Sequence, residues 1–177
     1  MKNTKLNTII IAALLSALCC VATMIIRVPT IGTNGYVNIG DAMVLNSAWL
    51  LGNPYGALAA GIGSAMADLL AGYTSYVPGT LIIKFAMAFI ASLVYSYISK
   101  TKLGRIPAYL ISSVCAELVM VVGYFLYEST LLGYGIAAAS SIVSNIIQGI
   151  TCIVIGVVLI NALSGTKYIT NSIKNLR

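Results

Sequence analysis

Residues 6–26 read LNTIIIAALLSALCCVATMII, a run of 21 residues that contains no charged side chain. An α-helix needs about 20 predominantly apolar residues to cross the hydrocarbon core of a bilayer. Lys2 and Lys5 precede the run, an arrangement that a secretory signal peptide also shows. A lipoprotein cleavage site would need a small residue before Cys19 or Cys20, but Leu18 and Cys19 stand at those positions. The run is therefore predicted to be a retained transmembrane helix.

The composition of the whole chain agrees with a membrane location. Of its 177 residues, 59% are hydrophobic and 8% are charged, and the mean hydropathy is +0.97. Soluble domains carry about 25% charged residues. We expect one transmembrane domain over residues 1–177, without a separate nucleotide-binding domain. The net charge of +6 does not indicate a nucleic-acid partner, because the basic residues stand at the ends of the predicted helices.

Residue types that usually carry catalysis or bind metal are scarce. The chain has no histidine, which excludes histidine-based triads and histidine metal sites. Its four cysteines lie inside apolar runs and form no C-x-x-C pair, which favours small buried hydrophobic side chains. We therefore expect no enzyme activity, no metal site and no cofactor.

Glycine, proline and polar residues divide the chain into six predicted helices. This predicts an all-α, polytopic membrane protein with six transmembrane helices, at about residues 7–27, 39–51, 55–72, 79–99, 107–127 and 136–163. Basic residues concentrate on the cytoplasmic side of membrane proteins, so both termini are predicted to be cytoplasmic. That orientation places Arg27 alone among the bases outside, leaves Lys84 within the membrane, and places eight bases inside: Lys2, Lys5, Lys100, Lys102, Arg105, Lys167, Lys174 and Arg177.

Three predicted outer loops, at 28–38, 73–78 and 128–135, are rich in tyrosine. Tyr36, Tyr73, Tyr76 and Tyr134 lie in them. Tyrosine is enriched where membrane meets water, so one interpretation is an interfacial belt. The other is a lid over a binding site.

Asp68, Lys84 and Glu117 fall inside predicted spans, where an ionisable side chain is costly and indicates function. Asp68 and Lys84 lie eight residues either side of Tyr76, the middle of a helical hairpin. They are therefore predicted to lie at the same depth and to form an ion pair. The pair either only fixes the hairpin or also contacts a ligand.

The last two helices each carry a polar stripe on one face. The spacing of three and four residues aligns Glu117, Val121, Tyr124 and Glu128 on one helix, and Ser141, Asn145, Gln148 and Cys152 on the other. Such side chains either join helices by hydrogen bonds or line a solute site. Amide groups and tyrosine rings suit a small heteroaromatic solute. The candidate substrate-binding residues are Asn38, Lys84, Glu117, Tyr124, Asn145 and Gln148.

Small residues suggest where helices pack closely. The third predicted helix repeats them every four residues, which predicts close helix neighbours. Ala13 and Ala17 form a small-xxx-small pair on the first helix. That pair serves either packing within the bundle or docking of another membrane subunit.

Four stretches together resemble a known family: YVNIGD at 36–41, GNPYG at 52–56, GIGSAMADLLAGY at 61–73 and PGTLIIK at 78–84. The chain resembles the substrate-binding S components of energy-coupling factor (ECF) transporters, in the subgroup for riboflavin, hydroxymethylpyrimidine and pyridoxine-like vitamins. The resemblance covers nearly the whole chain. It implies a subunit without ATPase activity that binds a vitamin from outside.

The resemblance also implies partners. A T subunit and two ATP-binding-cassette (ABC) ATPases would supply energy, and Ala13 and Ala17 match the family's Ala-x-x-x-Ala motif for contact with the T subunit. The expected location is the cell membrane of a prokaryote. An alternative function is a self-sufficient, proton-coupled secondary transporter that uses Glu117 or Asp68. Intramembrane carboxylates motivate it, although we find no convincing inverted repeat.

Overall fold

A computed structural model describes residues 4–30 and 32–164. Within that part of the chain it contains six α-helices and one two-stranded sheet, so the predicted all-α class is confirmed. Lys2, Lys167, Lys174 and Arg177, which supported the predicted orientation, lie outside the described residues. The elements are α1 Thr4–Ile25, β1 Arg27–Pro29, β2 Tyr36–Asn38, α2 Gly40–Leu51, α3 Tyr55–Leu70, α4 Val77–Ile98, α5 Arg105–Leu126 and α6 Ala139–Ser164.

Four of the helical segments are long and apolar enough to cross a membrane: Lys5–Ile25, Val77–Ile98, Arg105–Leu131 and Gly135–Ser164. The helices α2 and α3 have 12 and 16 residues. At about 1.5 Å per residue they are shorter than the roughly 30 Å hydrocarbon core. The protein is thus a multi-pass membrane protein, and full crossing by α2 and α3 stays a prediction.

Close helix packing in this bundle depends on small residues, as the repeat in the third helix predicted. A Cβ atom added at Gly63 of α3 would lie 2.2 Å from the carbonyl oxygen of Ser16 in α1. One added at Gly56 would lie 2.3 Å from the carbonyl oxygen of Ser47 in α2, and one at Gly61 would lie 2.8 Å from that of Leu81 in α4. The glycines therefore let three neighbouring helices approach the α3 backbone.

The first outer loop is more regular than the sequence suggested. β1 and β2 pair antiparallel, with Val28 opposite Val37. The amide of Thr30 donates to the carbonyl of Gly35 at 3.0 Å and closes the ribbon. Strands of three residues are too short to show an alternating apolar pattern, which is why the sequence predicted only a loop.

The end of α5 also differs from its predicted loop at 128–135. The chain continues as a π-helical turn, Tyr127–Leu131, followed by a 3-10 turn, Gly135–Ala138. The π-helical turn carries Glu128 into the interior, where it is 3% exposed. We call the end of the bundle formed by β1, β2, residues 71–76 and these two turns the hairpin end.

Candidate functional site

A small polar cavity lies among the helices at the hairpin end, with a volume of about 20 Å³. That volume holds roughly one water molecule. Its wall comes from the β1–β2 hairpin, from helices α3, α4, α5 and α6, and from the π-helical turn. The lining residues are Thr30, Gly35, Tyr36, Asn38, Asp68, Tyr76, Thr80, Tyr124, Glu128, Asn145 and Gln148.

Among the described residues, the ammonium group of Lys84 forms a buried ion pair with Asp41, so the predicted pair of Lys84 with Asp68 is wrong. Lys84 is 3% exposed and Asp41 is fully buried. The ammonium nitrogen also lies 5.2 Å from the centre of the Tyr124 ring, within range of a cation–π contact. Asp68 of α3 and Lys84 of α4 were predicted to lie at equal depth in the pair of helices. They do not form an ion pair, because the side chain of Lys84 extends towards α2 instead.

A chain of hydrogen bonds continues from Asp41 to the hairpin. The side-chain amide of Gln148 donates to Oδ2 of Asp41 at 2.5 Å. Its oxygen accepts from the backbone amide of Asn38 at 2.6 Å, and the side-chain oxygen of Asn38 accepts from the amide of Gly40 at 2.8 Å. Helices α2, α4 and α6 and strand β2 are therefore joined through one polar network.

Asp68 belongs to a second network, on the cavity wall. The hydroxyl of Tyr36 donates to Asp68 Oδ1 at 2.5 Å, and the hydroxyls of Thr80 and Tyr124 lie 3.0 Å apart. The Tyr36 ring also contacts the Tyr73 ring, with centroids 4.6 Å apart. The carboxylate of Asp68 thus holds the side chain of Tyr36 over the cavity.

Glu128 joins three elements of the hairpin end. Its Oε1 accepts from the hydroxyl of Tyr76 at 3.0 Å, and its Oε2 accepts from the hydroxyl of Ser141. A Cβ atom added at Gly35 would lie 3.2 Å from both Glu128 Oε1 and the Tyr76 hydroxyl. Burial, and secondly the neighbouring Glu128 carboxylate, raises the pKa of Tyr76 above its usual range.

Glu117 differs from the other three carboxylates of the chain. It is 6% exposed, and neither carboxylate oxygen has a hydrogen-bond partner. The side chain packs against α6, where a Cβ atom added at Gly149 would lie 3.1 Å from Glu117 Oε2.

The structure brings four of the six candidate substrate-binding residues to one cavity: Asn38, Tyr124, Asn145 and Gln148. Lys84 and Glu117 are buried nearby but do not line it. Their roles in binding stay predictions. Sequence reasoning missed Asp41 as the partner of Lys84. Its position in the quoted stretch YVNIGD was a signal that could have found it.

A second, wider space lies outside the cavity. It measures about 430 Å³ and is lined by Pro29, Thr33, Asn34, Gly35, Gly72, Tyr73 and Ser75. Gly35 borders both spaces. The wider space therefore lies between the hairpin and the turn that connects α3 to α4.

Ala13 and Ala17 lie on an exposed face of α1. The contact of α1 with α3 instead runs through Ser16 and Cys19, beside Gly63. The small pair is therefore accessible for docking of another subunit, although its role as a contact stays a prediction.

Comparisons with known proteins point in one direction. A family model described as "ECF-type riboflavin transporter, S component" matches residues 3–165. The chain is 37% identical over 138 residues to a Pyrococcus woesei protein described as "Uncharacterized protein in gap 3'region", covering 77% of this chain and 87% of that protein. It is 28% identical over 166 residues to the thiamine precursor transporter HmpT of Lactococcus lactis subsp. cremoris, covering 93% and 89%.

A solved structure, of the S component of a bacterial ECF transporter, is also similar. It superposes with a TM-score of 0.66 and covers 93% of this chain and 98% of that chain, at 22% identity. At this identity the superposition shows a shared fold.

Proposed function

The chain belongs to the family of ECF-type riboflavin transporter S components, and from that premise we propose that it captures a vitamin or vitamin precursor at the hairpin end for import. Membership makes it a substrate-binding subunit of a vitamin-type transporter and not an enzyme. The finer proposal is that a T subunit and two ABC-type ATPases complete the importer, in the cell membrane of a prokaryote.

The observation that carries the proposal is the buried polar cavity at the hairpin end. Intramembrane polar groups are costly unless they serve each other or a solute, and this cavity collects two carboxylates, three amide side chains and three tyrosines. Aromatic faces with a few oriented polar groups are typical of sites for small heteroaromatic molecules.

The proposed ligand is small, water-soluble and heteroaromatic: riboflavin, hydroxymethylpyrimidine or a pyridoxine-like compound. The Lactococcus relative, named as a thiamine precursor transporter, supports a pyrimidine among these. A cavity of about 20 Å³ is far below the several hundred Å³ of an ordinary ligand pocket. Binding of a ring therefore requires the lining side chains to move apart.

Reconstitution tests this proposal against the proton-coupled alternative, which the unpartnered Glu117 favours. The purified subunit is placed in liposomes, either alone under a pH gradient or with a T subunit and both ATPases plus ATP. Accumulation of a labelled vitamin only in the second preparation supports an S component. Accumulation by the lone subunit, driven by the pH gradient, contradicts the proposal and establishes a secondary transporter.

A further inference from the structure

The acidic residues of this chain are distributed unevenly. Its sequence has four, and all four are buried: Asp41, Asp68, Glu117 and Glu128. In the described part of the chain Lys84 is the one buried base, whereas Arg27 of the hairpin is exposed. When all five buried groups are ionised, the interior carries a surplus of three negative charges.

Three of the four carboxylates are supplied with donors by the protein. Asp41 accepts from Lys84 and Gln148, Asp68 from Tyr36, and Glu128 from Tyr76 and Ser141. Glu117 accepts from none, although both its oxygens are buried. An unsatisfied buried carboxylate is costly, so the interior beside the cavity has one acceptor group that lacks a donor.

The wall of the cavity is acidic, like the rest of the buried interior. Asp68 and Glu128 are on its wall, and no basic side chain is among the residues that line it. Glu117 of α5 packs against Gly149 of α6, which directly follows the lining residue Gln148. A ring that enters past Gln148 therefore approaches Glu117.

We propose that the ligand of this site carries an amino group or a protonated ring nitrogen that donates to Glu117, and that the site rejects anionic vitamins. This inference rests on the proposed function and narrows its substrate class. An aminopyrimidine that is protonated on the ring nitrogen beside its amino group presents two N–H donors at one edge, which matches the two free oxygens of a carboxylate. A phosphorylated or carboxylated vitamin would add negative charge to an interior that already has a surplus.

Two probes that differ at one group test the donor. They are 4-amino-5-hydroxymethyl-2-methylpyrimidine and the analogue that carries a methyl group in place of the amino group, titrated calorimetrically into the purified full chain. A hydrogen bond to a charged group contributes enough to give the amino compound an advantage in affinity on the order of ten- to a hundredfold. Glu117→Gln is expected to reduce this preference to within a few-fold.

Glu128→Gln is the matched control, because it makes the same chemical change on a carboxylate whose oxygens already have protein donors. It is expected to weaken both probes alike and to leave their ratio unchanged. The result is the ratio of the affinities for the two probes, measured in variants that still bind them. A general loss of affinity lowers both values and therefore does not change this ratio.

The outcomes separate this inference from the function on which it rests. Equal affinity of the wild type for the two pyrimidines overturns it, even if Glu117→Gln does not fold. So does stoichiometric binding of riboflavin or pyridoxal phosphate with no binding of the aminopyrimidine, which leaves the proposed function intact. If the wild type binds no vitamin at all, both proposals fail.

Discussion

Lys84 of α4 pairs with Asp41 of α2, 43 positions earlier in the chain. The pair lies at the centre of the polar interior, because Gln148 of α6 donates to the second oxygen of the same carboxylate. A buried ion pair of this kind is expected to specify how three helices meet. Whether it also stabilises the fold depends on the cost of removing both charges from water.

Removal of one partner from this pair should cost more than removal of both. Lys84→Met leaves Asp41 buried without its cation, which is expected to destabilise the protein by about 3–5 kcal/mol, whereas Asp41→Asn/Lys84→Met leaves no unpaired charge. The measurement is thermal unfolding in detergent for the complete double-mutant cycle. The control is the same cycle with Asp68→Asn in place of Asp41→Asn, in which the losses of stability should be close to additive. Strong coupling between Lys84 and Asp68, with none between Lys84 and Asp41, would contradict the assigned pair.

The contact between α1 and α3 should not tolerate a side chain at Gly63. Gly63→Val places a Cβ atom 2.2 Å from a backbone oxygen of Ser16 and 2.8 Å from Cys19, and overpacking of this kind typically costs about 1–3 kcal/mol or more. Gly123→Ala is the milder comparison, because the three atoms nearest to the added Cβ all belong to the side chain of Ile83, the first at 3.1 Å. Equal melting temperatures for the two variants would show that α1 does not pack as described.

The Tyr76–Glu128 hydrogen bond should stabilise the hairpin end. Tyr76→Phe removes a donor from a buried carboxylate and is expected to cost about 1–3 kcal/mol. Hydrogen exchange should then increase in residues 127–138 and in the hairpin. Tyr127→Phe is the control, since its hydroxyl donates to the backbone oxygen of Ser75 at an exposed position. Unchanged exchange in Tyr76→Phe would refute the joining role of Glu128.

Bulk added to the exposed face of α1 should separate binding from transport. Ala13→Leu/Ala17→Leu is expected to keep the vitamin affinity of the lone subunit, because neither residue is near the cavity, and to abolish uptake by the assembled transporter. Val154→Leu/Val158→Leu, on an exposed face of α6, is the comparison and should transport normally. Normal uptake with both alanines replaced would argue against docking on this face.

The helices could be predicted from the sequence because apolar runs and Pro/Gly punctuation are local signals. The Lys84–Asp41 pair could not, because depth along a helix is read from residue number but the direction of a side chain around the helix axis depends on neighbours. Glu128 shows a third case. Its place on the α5 stripe was visible, but the π-helical turn that carries it inward left no local signature.

The polar residues of α6 illustrate what the pattern alone leaves open. The stripe with Asn145 and Gln148 was compatible with helix-joining or with a solute site. In the structure Gln148 does join helices, through Asp41 and Asn38, and it also lines the cavity. Helix-joining is thus observed for Gln148, and its role in binding a solute stays a proposal.

The most direct test of a ligand site at the hairpin end is the number of vitamin molecules bound by the purified subunit without partners. Native mass spectrometry would be recorded after separate incubation with riboflavin, hydroxymethylpyrimidine and pyridoxine. The proposal predicts one equivalent of one of these compounds, lost in Asn145→Leu, which places an apolar side chain on the cavity wall. Absence of binding for all three, or one equivalent bound equally well by Asn145→Leu, would contradict it.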